Sequence, residues 1–425
     1  MNSPEALLNY TKQRIGEILA EICSNRHAKD VDQAASHLSS ATRFFLGINF
    51  FIAAARFMTF PFLAIYLSTH NVWSAGQIGL VIGLSPLASM IFGIAGGRLA
   101  DRFGALSLYV GALLIAAASL VGYGFISTYI GLCIISIISG IAWSVVNTTQ
   151  RTLLSEVTAN ENLEQAFLLN YWTFNLGGIL GPLLGAWLGA GEATTPFIVF
   201  AGLLFFITPV TFGIMRRYSL KRATETATRP VLSSFHQIFQ LPSIMWLLIS
   251  TLCVFAVEAQ FETNIAQYLS QSLDDGVRLF SRLLMLAAFG VVVLQPLISL
   301  ILKKLSAVLV VAMGTFSYVL APLTILLFPE PSIWYVYVVL VTLGELLLAP
   351  KMQATLARLS SDNSRNTVFA MFGFSGNLAY FLGPWIGGLL LETYGTSSLL
   401  VMMSFLGVLV GVGVTASLKR ISKMP

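Results

Sequence analysis

Twelve apolar runs of about 20 residues each take up most of this 425-residue chain. At 1.5 Å rise per residue, a helix of that length crosses the roughly 30 Å hydrocarbon core of a bilayer. The runs fall at roughly 43–68, 76–98, 105–126, 128–150, 165–189, 196–216, 242–269, 279–302, 306–328, 332–356, 367–391 and 397–418. Strands of a membrane barrel would be about half as long and would alternate in polarity, which these runs do not. A water-soluble fold is excluded by the same pattern. Only 10% of the residues are charged and 56% are hydrophobic, against about 25% charged in soluble domains. The expected fold is an all-α membrane protein with twelve transmembrane helices.

Lysine and arginine set the expected orientation, because cytoplasmic segments retain positive charge. With the N-terminus inside, 21 of the 24 basic residues fall on the cytoplasmic side and only Arg278 and Arg282 outside. The last, Arg56, lies within a span. This asymmetry accounts for a net charge of +5 without any nucleic-acid partner. Both termini are expected in the cytoplasm. Residues 1–41 read as a cytoplasmic extension without a cleavable leader, with an amphipathic helix from Pro4 to about Cys23. A six-helix bundle over 42–216, a cytoplasmic linker over 217–241, a second bundle over 242–418 and a short tail over 419–425 complete the expected division.

The two bundles repeat at a constant offset of 202 residues. Asn175-Leu176, Leu180-Gly181-Pro182 and Gly185 match Asn377-Leu378, Leu382-Gly383-Pro384 and Gly387. Tyr66-Leu67-Ser68 matches Tyr268-Leu269-Ser270, and Phe167 matches Phe369. Duplicated membrane bundles place a substrate path at their interface, near the midplane.

Three local patterns add to this. The turn after the second span reads Gly97-Arg98-Leu99-Ala100-Asp101-Arg102-Phe103-Gly104, and the fifth span carries Gly177, Gly181, Pro182 and Gly185, followed by Ala186. The first span reads Arg56-Phe57-Met58-Thr59-Phe60-Pro61-Phe62. The turn resembles the hallmark loop of the major facilitator superfamily, and the fifth span resembles the antiporter pattern of its drug-exporting branches. From about residue 43 to 418 the chain looks like a proton-coupled multidrug exporter of the drug:H+ antiporter type. It departs from the family where Ala105 and Leu106 replace a basic pair, and where Ser136 stands in place of a basic residue in the fourth span. The resemblance implies two pseudo-symmetric six-helix bundles and identifies Gly97, Asp101, Arg102, Gly104, Gly177, Gly181, Pro182 and Gly185 as conformational elements. Physically, glycines four residues apart let helices approach closely, and Pro182 removes one backbone hydrogen bond.

Four ionisable residues lie deep within spans: Arg56, Glu258, Glu262 and Glu345. Each costs about 2.5–3.5 kcal/mol at that depth on insertion scales, so each is expected to face a partner or a wet cavity. Arg56 and Glu258 are 202 apart, which makes them symmetry mates and suggests an ion pair. Glu258 and Glu262 share a helical face. Two close carboxylates do not both ionise cheaply, so the pair can exchange a proton, as antiport requires. The alternative is a permanent Arg56–Glu pair with one acid in an outer vestibule, the place best suited to Glu262. Asn49, Tyr66, Trp143, Asn147, Asn175, Asn264 and Asn377 are expected to line the cavity, with Asn170, Trp172 and Gln260 beside them. An aromatic, amide-bearing pocket suits promiscuous binding.

The expected function is secondary active transport, with proton-coupled export of amphiphilic small molecules by rocker-switch alternating access. Two other readings stay open: a dedicated exporter of an endogenous metabolite such as an anionic siderophore, with Arg56, Arg278 and Arg282 attracting carboxylates, and a nutrient importer. No glycine loop for a nucleotide, catalytic triad or metal spacing is present, and Cys23, Cys133 and Cys253 suggest no disulfide. No enzyme activity and no cofactor are therefore expected, the drive being a proton gradient. The expected partners are a small-molecule substrate, protons and the lipid bilayer, for a monomer in a bacterial inner membrane.

Overall fold

The computed structural model describes residues 38–189, 191–219, 242–302, 305–359 and 365–421, and leaves aside the side chains of residues 94–98 and 101 among others. The proposed amphipathic helix near the N-terminus and most of the 217–241 connection lie outside the described residues. All described elements are helical. The first half holds α1 (Ser40–Thr59), α2 (Leu63–His70), α3 (Ala75–Phe103), α4 (Ala105–Phe125), α5 (Tyr129–Val157), α6 (Leu163–Trp187) and α7 (Thr195–Ser219). The second holds α8 (Pro242–Gln260), α9 (Ala266–Ser272), α10 (Gly276–Leu302), α11 (Ala307–Leu327), α12 (Ile333–Leu359) and α13 (Arg365–Ile421).

Ten helical stretches among the described residues are long and apolar enough to span a bilayer. The expected count of twelve requires α6, at 25 residues, as a further span and two spans within α13. That element runs 57 residues but contains Gly395 at φ 76°, ψ 179°, a left-handed conformation that suits glycine and reverses the chain between two spans. Gly104 does the same between α3 and α4 at φ 82°. The expected eight-residue turn around Gly97 is thus helix through Phe103, and Gly104 alone forms the connection.

Each half has its own apolar core, one built from Leu38 to Met215 and the other from Ile244 to Val414. Phe62 and Ile65 are the exceptions: they leave the first half and enter the second core. They sit just after a break in the first span, where Pro61 lacks an amide hydrogen and residues Phe60–Phe62 tighten into a 3-10 turn. The equivalent span of the second half breaks at the equivalent place, as a π-helical turn over Phe261–Ile265. Such turns inside α-helices are frequent at functional sites.

Glycines explain which helices touch. Gly177, Gly181 and Gly185 set the α6 backbone directly on Ala53, Ala54 and Met58 of α1, so the antiporter-like pattern serves close packing of those two spans. Between the halves, Gly79 and Gly83 of α3 face the carbonyls of Pro384 and Phe381, and Gly388 of α13 faces the carbonyl of Ala75. Any side-chain carbon at these glycines would force backbones apart. The result is a close-packed seal at one end of the molecule, formed by the start of α3, the middle of α13 and the Phe62–Phe280 ring contact at 5.6 Å.

Candidate functional site

Below that seal, between the halves, lies a cavity of about 1050 Å³. It is lined by all four intramembrane ionisable residues, Arg56, Glu258, Glu262 and Glu345. It extends along α3 and α5 to Gly93 and Arg151, toward the end of the molecule opposite the seal. The α3–α5 wall is stitched by small residues: Ser89 Oγ donates to the Gly140 carbonyl at 2.7 Å, and Ser144 Oγ donates to the Ser89 carbonyl at 3.1 Å.

Arg56 does not pair with Glu258. Among the described residues no ion pair joins it to any of the three acids, whereas on the surface Arg278 pairs with Asp275 at 3.1 Å. The Arg56 guanidinium lies 5.2 Å from the ring centre of Trp143 and 5.8 Å from that of Phe60. Those rings meet edge to face at 6.0 Å, and both touch Phe200. The cation is held by aromatic faces in place of a carboxylate, an attraction that strengthens when water is excluded. Of the three acids, Glu262 is the one whose charge reaches Arg56. It therefore faces the central cavity and not an outer vestibule.

The carboxylates form one electrostatic group, with Glu258 in reach of both Glu345 and Glu262. Three acids and one cation in a low-dielectric chamber do not all carry charge cheaply. Two tyrosines are in electrostatic reach of Glu258: the hydroxyls of Tyr318 and Tyr337 are buried and have no hydrogen-bond partner among the described residues. Tyr380 lines the cavity and is in electrostatic reach of the three acids and of Arg56. A buried hydroxyl without a partner costs about 1–3 kcal/mol, so these groups are suited to donate to a carboxylate or a bound molecule.

The expected lining is partly corrected. Trp143, Asn147, Asn175 and Asn377 line the cavity. Asn175 and Asn377 are bonded alike, each donating through Nδ2 to the carbonyl four residues back, at 2.8 Å and 3.1 Å. Asn49, Tyr66 and Asn264 do not line it, because each is turned into a helix contact. Asn49 donates to Asn170 at 2.8 Å, and Tyr66 donates its hydroxyl hydrogen to the Gly124 carbonyl at 3.2 Å. Asn264 donates to Gln260 and to the Pro384 carbonyl, while Gln260 donates to the Gly383 carbonyl at 2.6 Å. These last bonds tie the π-turn to the helical turn of α13 around Pro384. Trp172 is exposed and outside the lining. Arg278 and Arg282 are also outside it, so the anion-attracting role expected of them finds no support in the cavity. Of the hallmark turn, Arg102 lies over Phe103 at 5.4 Å, while the side chain of Asp101 falls outside the description.

Sequence reasoning missed Phe60, Tyr318, Tyr337, Tyr380 and the π-turn. One signal was available: the offset of 202 carries Phe60 to Glu262 and Trp143 to Glu345, so the acids mark two further positions in the first half.

Comparison with known proteins gives consistent matches. A family model described as the Major Facilitator Superfamily matches residues 45–344 and again 263–423. The chain is 27% identical over 367 residues to the uncharacterized MFS-type transporter YqjV of Bacillus subtilis, covering 82% of this chain and 86% of that protein. It is 22% identical over 391 residues to the multidrug resistance protein MdtH of Aeromonas salmonicida, covering 85% and 94%. Among solved structures, the nucleoside transporter NupG superimposes with a TM-score of 0.75 at 12% identity, covering 90% of this chain and 100% of that one.

Proposed function

This chain belongs to the Major Facilitator Superfamily, and on that premise we propose that it exports amphiphilic small molecules in exchange for protons. As a member it is a multi-pass membrane transporter with a small-molecule substrate. The proposal adds the direction, the coupling ion and the substrate character. The single observation behind it is the gathering of Glu258, Glu262, Glu345 and one caged arginine around one cavity between the halves. A proton resident on the acid group in one state leaves in the other, and the freed carboxylate charge draws substrate in. Aromatic walls from Phe57, Phe174, Phe255 and Tyr337 suit an apolar ligand body. The similarity to proteins named for multidrug resistance supports the same reading.

The two bundles act as the moving bodies. The seal of α3 on α13 closes one end, and the cavity runs toward the end that bears Arg102 and Arg151. With basic residues on the cytoplasmic side, that open end faces the cytoplasm, both termini lie there, and the described state is open inward. A monomer in a bacterial inner membrane completes the proposal.

The test is transport in inverted membrane vesicles. Ethidium is expected to accumulate when the lumen is acidified, and to leave when the gradient is collapsed by an ionophore. Accumulation indifferent to the gradient, or seen only with the gradient reversed, would overturn proton-driven export.

A further inference from the structure

The offset of 202 residues pairs Arg56 with Glu258, Phe60 with Glu262 and Trp143 with Glu345. The same three positions of the duplicated fold therefore hold a cation between two rings in one half and three acids in the other. The first trio is a closed unit: guanidinium to Trp143 at 5.2 Å, guanidinium to Phe60 at 5.8 Å, ring to ring at 6.0 Å. Phe200 backs both rings, at 6.5 Å from Phe60 and 5.9 Å from Trp143. The second trio has no internal cation, although Glu262 lies in electrostatic reach of Arg56.

We infer that Phe60 and Trp143 are specificity-determining residues: by caging Arg56 on one wall they leave the three carboxylates of the facing wall free for a substrate that is an organic cation. An arginine released from the cage would find a carboxylate, since a charge-assisted pair of hydrogen bonds outweighs a ring contact. It would then occupy the place of the ligand's positive group. The cage thus sets the sign of charge the cavity accepts, without Phe60 or Trp143 having to touch the ligand. The inference rests on the reading of this cavity as the substrate chamber.

The experiment uses two probes of the same shape and opposite charge, tetraphenylphosphonium and tetraphenylborate. Binding is measured on the full-length protein in lipid nanodiscs, with empty nanodiscs subtracted. The native protein is expected to bind the cation and not the anion. Trp143→Leu is expected to weaken cation binding about fivefold to tenfold, a loss between that of an exposed and that of a desolvated ring contact. In an Arg56→Gln background the same substitution is expected to change nothing, because no arginine remains to be released. Trp143→Phe keeps a ring and is expected to stay near native. Phe60→Leu repeats the cycle on the other ring, should Trp143→Leu fail to fold.

An equal loss in both backgrounds would place Trp143 directly on the ligand and overturn the inference, as would no loss in either. Preference of the native protein for the borate would make Arg56 an anion receptor and overturn it as well. Binding of neither probe would remove the chamber reading itself, and the inference with it.

Discussion

Glu258→Gln is expected to give a transporter that still binds its substrate yet no longer concentrates it under a pH gradient. Glutamine keeps the size and hydrogen-bonding reach of the carboxylate but exchanges no proton. Glu258 is the acid in reach of both other acids, and its charge also reaches the buried hydroxyls of Tyr318 and Tyr337, so its charge state is the one most closely wired to the rest of the chamber. In the inverted-vesicle assay, gradient-driven accumulation should fall to the level seen without a gradient. Downhill exchange of substrate across the membrane should persist, because Glu262 and Glu345 still line the cavity. Coupling that survives in this variant would remove Glu258 from the mechanism.

Gly79→Leu is expected to have an effect of similar size, through conformation and not through charge. Gly79 meets the Pro384 carbonyl with no room for a side chain, the tightest approach of the three, and Gly83 and Gly388 also meet backbone carbonyls across the same seam. Overpacking of a close-packed interface costs about 1–3 kcal/mol. About 2 kcal/mol shifts a two-state equilibrium roughly thirtyfold. The seam is packed only when the cavity is shut at that end, so the cost falls on the sealed state. Spin labels on Val72→Cys and Asp274→Cys, in a background lacking the native cysteines, report the opening. Both positions are exposed at the sealed end, one in each half. Their separation should lengthen in Gly79→Leu and stay short in a Gly47→Leu control, where a side chain meets open space. An unchanged separation would show that the seam is not what closes that end.

Much of the fold was legible because bilayer crossing imposes a coarse rule on length and polarity. The offset of 202 carried further than any single motif. It pointed to Asn175 and Asn377, which line the cavity with matching bonds, and to the intramembrane charges that line it together. Other features depended on terms a linear pattern does not contain. Whether Asn49 or Asn147 faces the cavity is decided by the rotation of a helix about its own axis, and every polar residue in a span looks alike before that rotation is known. Asn49 and Asn264 turn their amide N–H groups to neighbouring helices, Asn49 to Asn170 and Asn264 to the Pro384 carbonyl. The Arg56–Glu258 pair followed from symmetry, but the same symmetry had replaced two acids by Phe60 and Trp143, and those rings hold the cation. The π-turn at Phe261–Ile265 is tied by bonds from Gln260 and Asn264 to the Gly383 and Pro384 carbonyls, a long-range arrangement. The hallmark turn proved to be helix up to Gly104, because one left-handed residue suffices to reverse the chain.

The central claim is that substrate and proton compete for one group of carboxylates. Proton release on ligand binding tests it directly. Purified protein in weakly buffered solution near neutral pH is titrated with tetraphenylphosphonium while the pH of the medium is followed. Acidification that saturates with binding, and that is lost in Glu258→Gln while the cation still binds, is the predicted result. Saturable binding of the cation by the native protein with no proton released would contradict it.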